Sequence, residues 1–205
     1  MNKIDVILNA FNKFGYTVFT NDLSLNIFGI RADNSLPNSF DDLIGVFYKE
    51  NGGWNLLMFE ATTDAGITVL GNKFGGANGT LIMQPGQYFK MFKIGKHKGK
   101  YPALVQNIEI EVLRDTNKNN LLDFDSLNKE FGMFGLNLHR ANDNQAFPST
   151  QVDNWSWGCQ VIRKINDWNK FWKLITKSSK KFGNTFSYAL LNEKDLEFSI
   201  KELLN

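Results

Sequence analysis

Short apolar, β-branched or aromatic runs alternate with turn-forming segments through most of the chain between residues 15 and 140. Runs of this length, bounded by Gly, Asn and Asp, are typical of β-strands rather than of helices. The clearest is 107–114, because Ile108, Ile110 and Val112 alternate there with glutamates. Other predicted strands cover 44–48, 54–60, 67–70, 81–83 and 103–105, with turns at 51–53 and 75–79. This pattern predicts a mostly β domain.

Helical periodicity precedes this β-rich stretch. Ile4, Ile7 and Phe11 recur at helical spacing, which predicts an amphipathic helix over about 3–14. Gly15 follows directly and is expected to end it, since glycine readily adopts the left-handed conformation found at helix ends.

Helical periodicity also follows the β-rich stretch. Trp168, Trp172 and Ile175 share one face of a helix from about 166, which Asn166 or Asp167 can cap and Gly183 can end. A strand at 186–191 and a short terminal helix within 193–204 complete the prediction. The fold class is therefore α+β with a β-rich core. We expect one domain, 1–205, with this core at about 28–162, a helix and strand at about 166–191, and a C-terminal segment at 192–205.

Charge and hydropathy exclude several functional classes. The 23 basic and 21 acidic residues leave a net charge of +2, too balanced for a nucleic-acid partner. The first residues lack the uninterrupted apolar core of a signal peptide, and no run approaches the roughly 20 apolar residues that span a membrane. We expect a protein that is cytoplasmic when synthesised and has no membrane partner. We expect it to leave the cell either by release on lysis or by packaging in a virion.

The chain contains one cysteine, Cys159, and therefore no internal disulfide. A lone cysteine is either a small buried residue or a nucleophile. Its neighbours favour the second hypothesis. Gly158 directly before it allows a sharp turn and a close substrate, and backbone N–H groups in such a turn can hold an oxyanion. A thiol placed there is expected to be partly exposed, with a pKa lowered by a nearby imidazole.

The candidate base is His139, at the end of a predicted strand over 134–140. Phe134, Leu136 and Leu138 fall on one side of that strand, whereas Asn137 and His139 fall on the other. A buried structural histidine is the alternative. The only other histidine, His97, stands among lysines and is expected to face solvent.

The strand-end His139, followed after a loop by Ser156-Trp157-Gly158-Cys159, resembles the active-site signature of L,D-transpeptidase (YkuD-type) catalytic domains. The segments Leu136–Asn142 and Trp155–Val161 also resemble phage-encoded proteins of this fold. The resemblance implies a catalytic domain with a β-sandwich or barrel, an N-terminal helix, and helices after the cysteine. It implies further that Cys159 attacks a carbonyl of a peptidoglycan stem peptide, with His139 as base, and that Ser156 and Gly158 shape the turn and oxyanion hole. No cofactor is required.

Two positions depart from the family's pattern. Arg140 stands where the family has glycine, and Val161 stands where an arginine usually helps to hold a substrate carboxylate. Arg163 lies two residues further on. In the family, a backbone carbonyl commonly orients the catalytic histidine. Asn137 is the first side-chain candidate for that role here, and Asn142, Asn144 and Asp153 are alternatives.

The expected partner is the stem peptide, and the neighbours of the pair are the candidates to contact it. These are Arg140, Trp155, Trp157 and Gln160, although the two tryptophans have the equal alternative of holding the turn rigid. We expect hydrolysis by a phage lytic or virion-associated protein, with virion components as further partners. Two rivals remain: a non-enzymatic virion structural or cargo protein with an inert Cys159, and a papain-like peptidase. The order of His139 before Cys159 opposes the papain-like fold.

A second motif follows the strand at 107–114. Asp115, Asn117, Asn119 and Asp123 place oxygen side chains at spacings like the start of a calcium loop. Asn120 replaces the glycine of such loops, and Ser126 replaces the closing glutamate. A weak Ca²⁺ site at 115–123 is therefore one hypothesis. A polar hairpin loop held by Asx turns is the favoured alternative.

Overall fold

The computed structural model describes residues 2–33, 35–70 and 79–205. In this part of the chain there are eleven strands and four α-helices. The strands are β1 (Asn26–Arg31), β2 (Asp42–Glu50), β3 (Gly53–Thr62), β4 (Thr80–Met83), β5 (Gly86–His97), β6 (Tyr101–Gln106), β7 (Ile110–Asp115), β8 (Lys129–Gly132), β9 (Leu138–Arg140), β10 (Gln160–Ile162) and β11 (Thr185–Asn192). The helices are α1 (Lys3–Lys13), α2 (Ile67–Leu70), α3 (Ile165–Phe182) and α4 (Ile200–Leu204).

Eight strands close into a barrel in the order β1-β11-β5-β6-β9-β10-β3-β2. The pairs β1–β11 and β9–β10 are parallel, and the other barrel pairs are antiparallel. The strands β4, β7 and β8 form a separate antiparallel sheet. The predicted α+β class with a β-rich core is therefore confirmed.

Alternation along the strands divides the apolar residues between two cores. Ile27 and Leu190 belong to the larger core, which also receives Trp168 and Phe171 from α3. Their neighbours in sequence point to the other face of the same strands, where α1 and α4 cover them. This second core consists of Ile7, Ala10, Phe11, Phe28, Ile30, Leu43, Phe47, Ala189, Leu191, Ile200 and Leu203.

The hairpin between β2 and β3 follows the predicted turn. Asn51 and Gly52 both have positive φ, at 52° and 79°, which is what a two-residue type I′ turn requires. Gly15, at φ 66°, follows the end of α1, and Gly183 is the C-cap of α3, so both predicted helix ends are confirmed. Within the described residues, no helix is long and apolar enough to cross a membrane.

Several element predictions were wrong or incomplete. The run 67–70 is the helical turn α2, because Gly66 O accepts the N–H groups of Val69 and Leu70 at 3.0 and 3.1 Å. The N-cap of α3 is Lys164, without a side-chain bond, so Asn166 and Asp167 lie inside the first turn. The segment 193–204 divides into a short 3₁₀ turn and α4. Of the predicted turn at 75–79, residues 75–78 lie outside the described residues.

Candidate active site

The parallel pairing of β9 with β10 brings the predicted base and nucleophile onto one surface. His139 pairs with Val161, and Leu138 pairs with Gln160. Because side chains alternate along each strand, Asn137, His139, Cys159 and Val161 share a face, and Leu138 points to the larger core. His139 and Cys159 are thus diagonal neighbours on the face of the barrel wall that points away from the larger core.

The turn before Cys159 is held by hydrogen bonds within the turn and by contacts with strand β4. Ser156 Oγ donates to the Cys159 carbonyl at 2.9 Å and accepts the Gly158 N–H at 3.1 Å. Gly158 has φ 117°, and a Cβ added there would lie 2.3 Å from the carbonyl oxygen of Leu81 in β4. The Leu81 N–H in turn donates to Trp157 O at 3.2 Å. The backbone that comes close to Gly158 is therefore that of β4, and not a substrate.

The ring of His139 has a defined tautomer. Its Nδ1 lies 2.7 Å from Arg140 O, and a carbonyl oxygen can only accept, so Nδ1 carries the hydrogen. Tyr101 Oη, 3.1 Å from the same nitrogen, also donates to Arg140 O at 3.4 Å. The lone pair is therefore on Nε2, which is buried and has no hydrogen-bond partner among the described residues. The ring presents a bare basic nitrogen.

Asn137 does not orient His139 as we expected. Its Oδ1 accepts the Gln106 N–H at 3.1 Å, and its Nδ2 lies 3.1 Å from Nδ1 of His97. Its own N–H points at Cys159 Sγ, 3.4 Å away. Asn137 thus contacts the thiol and the second histidine, and the carbonyl of Arg140 orients His139.

The expectation that His97 faces solvent was wrong. Its side chain is 7% exposed and stacks on His139 with ring centroids 3.9 Å apart. Alternation along β5 turns Lys96 outwards and His97 inwards, against β9. The available signal was this alternation at the end of a strand, which the surrounding lysines obscured.

A cavity of about 520 Å³ opens at Cys159. Trp155 and Trp157 both line it, which agrees with a role as groove walls. Two cations, Lys98 and Arg114, also face it, and Arg114 is paired with Glu130 at 2.7 Å. The remaining lining residues are Gly79, Leu81, His97, Phe134, Gly135 and Asn137.

Burial, rather than a neighbouring charge, dominates the electrostatics of the pair. Burial raises the pKa of the Cys159 thiol, opposed by the N–H groups of Asn137 and Trp157 and by the charge of Lys98. Burial, together with the adjacent His97, lowers the pKa of His139 to about 3. The expected lowering of the thiol pKa is thus not found, because the pair lies too deep. At neutral pH both groups are uncharged.

These pKa directions predict how Cys159 reacts with iodoacetamide. Only the thiolate reacts, so the rate should rise about tenfold per pH unit between pH 6 and 9, without a plateau below pH 7. Because the chain has one cysteine, mass analysis of the whole protein measures this rate directly. Cys159→Ser should take up no label. A plateau at acidic pH would instead indicate a preformed thiolate–imidazolium pair.

Two predicted substrate contacts are corrected. Gln160 is fully buried on the face opposite Cys159, where its Oε1 accepts from Tyr188 Oη at 2.5 Å, so it cannot reach a substrate in the cavity. Arg140 is not one of the residues that line the cavity; its guanidinium bonds Asp143 in the loop after β9 at 3.0 Å and lies over the ring of Tyr101 in β6.

The candidate calcium loop joins β7 to β8. Asn117 Oδ1 accepts the Asn119 N–H at 3.1 Å, and Asn119 Oδ1 accepts the Leu121 N–H at 2.8 Å. Asp115 Oδ2 accepts the Asp123 N–H at 3.3 Å, and the Asp123 side chain also bonds Asn117. These are the Asx turns of the alternative hypothesis. Within the ranges that the structure describes, no group of three or more His, Cys, Asp or Glu residues is placed so that it could hold a metal ion. A Ca²⁺ site here stays a prediction.

Comparison with known proteins adds no family to this geometry. No protein-family model matches the chain, and neither a curated protein nor a solved structure is detectably similar to it.

Proposed function

We propose that this chain is a cysteine enzyme of the L,D-transpeptidase type, which cleaves peptidoglycan stem peptides through a Cys159 acyl-enzyme. The observation that carries the proposal is the bare Nε2 of His139 on the strand face that it shares with Cys159. Cys159 lines the cavity, and His139 lies behind it, stacked on His97. A buried basic nitrogen without a partner costs free energy. A role as the proton acceptor for the Cys159 thiol accounts for the presence of this unpartnered nitrogen.

The cavity supports a peptide substrate that carries a carboxylate. Its volume of about 520 Å³ is typical of a site for a small ligand or a peptide segment. Aromatic walls at Trp155 and Trp157 can pack against the peptide, and Lys98 supplies positive charge. Lys98 thus offers an alternative to the family's arginine, whose position is occupied by the fully buried Val161. The motif around His139 and Cys159 supports the stem peptide in particular.

The chemistry begins with neutral partners. As Cys159 Sγ bonds to the substrate carbonyl carbon, its proton moves to His139 Nε2, and the carbonyl oxygen gains the negative charge. Collapse of this intermediate breaks the C–N bond, and His139 returns the proton to the leaving amine. A water then attacks the thioester, again with His139 as base; the C–S bond breaks, the acid is released, and His139 returns the proton to Cys159 Sγ. An amine in place of water would give a cross-link. We favour hydrolysis, in a phage lytic or virion-associated role.

Purified cell walls test the proposal. The wild type should release stem-peptide fragments, whose masses identify the bond cut and distinguish hydrolysis from transfer. Cys159→Ala should release none while it melts at a similar temperature. Release by both proteins alike would exclude Cys159 as the nucleophile.

One observation favours a second candidate, a non-enzymatic virion structural or cargo protein. Cys159 is only 7% exposed, as an inert core cysteine would be. A wild type that releases no fragments and resists alkylation up to pH 9 would support this role. The papain-like alternative is not retained, since Cys159 precedes the strand β10 rather than lying at a helix N-terminus.

A further inference from the structure

The hydrogen bonds of Asn137 assign the tautomer of His97. The N–H of Gln106 can only donate, so the atom of Asn137 that faces it is the amide oxygen. The amide nitrogen therefore faces His97 Nδ1 at 3.1 Å and donates to it. In a neutral ring the hydrogen is then on Nε2. No hydrogen bond between described residues uses this Nε2–H, and His97 is one of the residues that line the cavity.

The two stacked rings are thus complementary. His139 carries its hydrogen on Nδ1 and offers a lone pair at Nε2, whereas His97 accepts at Nδ1 and offers a hydrogen at Nε2. Burial lowers the pKa of His97 to about 4, aided by the charge of Lys98, which keeps the ring neutral at pH 7. One ring can take a proton, and the other can donate a hydrogen bond.

Attack by Cys159 on a carbonyl also needs a hydrogen-bond donor for the oxyanion that forms. We expected N–H groups around Gly158 and Cys159 to hold the oxyanion, but the Gly158 N–H already donates to Ser156 Oγ at 3.1 Å. The Asn137 N–H points at the sulfur itself. A developing oxyanion therefore lacks one of the expected backbone donors, and His97 lines the same cavity as Cys159.

We propose that His97 donates its Nε2–H to the oxyanion that forms when Cys159 attacks a carbonyl. The inference rests on the proposed acyl transfer by Cys159, and it adds a second histidine with a role opposite to that of His139. During attack, the S–C bond forms, the thiol proton goes to His139 Nε2, and the carbonyl π electrons move to the oxygen. That oxygen accepts the hydrogen bond from His97. A neutral donor placed in advance stabilises this charge without transferring its proton.

Two reactions of the single cysteine separate this role from a structural one. Acylation by p-nitrophenyl acetate passes through a tetrahedral oxyanion and expels p-nitrophenolate. Alkylation by iodoacetamide displaces iodide and forms no oxyanion. Both can be followed at pH 8 on the same preparations, and the ratio of their rates isolates stabilisation of the oxyanion from ionisation of the thiol.

His97→Phe keeps a ring for the stack but removes the donor, and His97→Gln offers an amide N–H near the position of Nε2. We expect acylation to slow about 100-fold in His97→Phe and by less than about tenfold in His97→Gln. Alkylation should stay within about threefold of the wild type in both. The inference is overturned if acylation and alkylation slow together, which would make His97 a positioning residue, or if acylation is unchanged in His97→Phe.

The outcome is independent of the wall substrate. Wild-type protein that is acylated by the ester but releases no wall fragments would refute the stem-peptide proposal and leave the role of His97 standing. Wild-type protein that is alkylated but not acylated would refute both.

Discussion

Gly158→Ala is expected to lower the free energy of unfolding by about 3 kcal/mol or more, and to abolish acylation of Cys159. Two costs combine. The backbone at φ 117° strains any residue that carries a Cβ, and the new methyl would lie 2.3 Å from the carbonyl oxygen of Leu81. That oxygen cannot easily retreat, since β4 is paired with β7 along its length. Urea denaturation measures the loss.

Gly15→Ala is the matched control. Gly15 has φ 66°, and an added Cβ there meets nothing within 4 Å, so only the backbone strain remains. We expect a loss of about 1 kcal/mol. If Gly158→Ala costs no more than this control, then contact with Leu81 does not hold the cysteine turn.

Acidification is expected to remove the contribution of His139 to the stability of the fold, whereas the buried Asp42, whose pKa is raised by burial and by the neighbouring Asp64, acts in the opposite direction. The pKa of His139 is about 3 in the folded chain, against an ordinary value of 6.5. Between these values the unfolded chain binds a proton that the folded chain does not, so the contribution to stability is full above pH 6.5 and is lost as the pH falls towards 3. Each pH unit in this window costs about 1.4 kcal/mol, on the order of 5 kcal/mol in total. His97 acts in the same direction.

Urea denaturation at pH 7, 6, 5 and 4 measures this dependence. His139→Gln removes this titrating group and leaves Asp42 in place, so the stability of the wild type should fall relative to that of the variant at each step from pH 7 to pH 4. The variant should be less stable at pH 7, and the difference should narrow towards pH 4. Parallel curves would contradict this, because they would show that His139 takes up its proton as readily in the folded chain as in the unfolded one.

The sequence predicted the features that depend on local pattern. The alternation of Leu136 and Leu138 with Asn137 and His139 identified the strand faces, and Gly158 identified the turn. The run 67–70 was assigned wrongly because four apolar residues fit a strand and a helical turn equally well.

The features that depend on distant pairing could not be predicted. His97 reaches His139 only because β5 and β6 form a hairpin whose second strand pairs with β9. Gln160 follows Cys159 directly, which is why it is a predicted substrate contact, yet alternation in β10 turns it to the opposite face. The depth of the thiol, which reverses the expected direction of its pKa, likewise follows from packing around the barrel.

The parallel pairing of β1 with β11 has a consequence for biosynthesis. A ribosome makes β11 after every other strand of the barrel, and β11 joins β1 to β5. Until that strand emerges, the nascent chain has two unpaired strand edges and no closed wall to support β9 and β10. Contacts between segments so distant in sequence also form slowly. The thiol should therefore become protected only after β11 has emerged, and deletion of β11 should leave Cys159 open to alkylation.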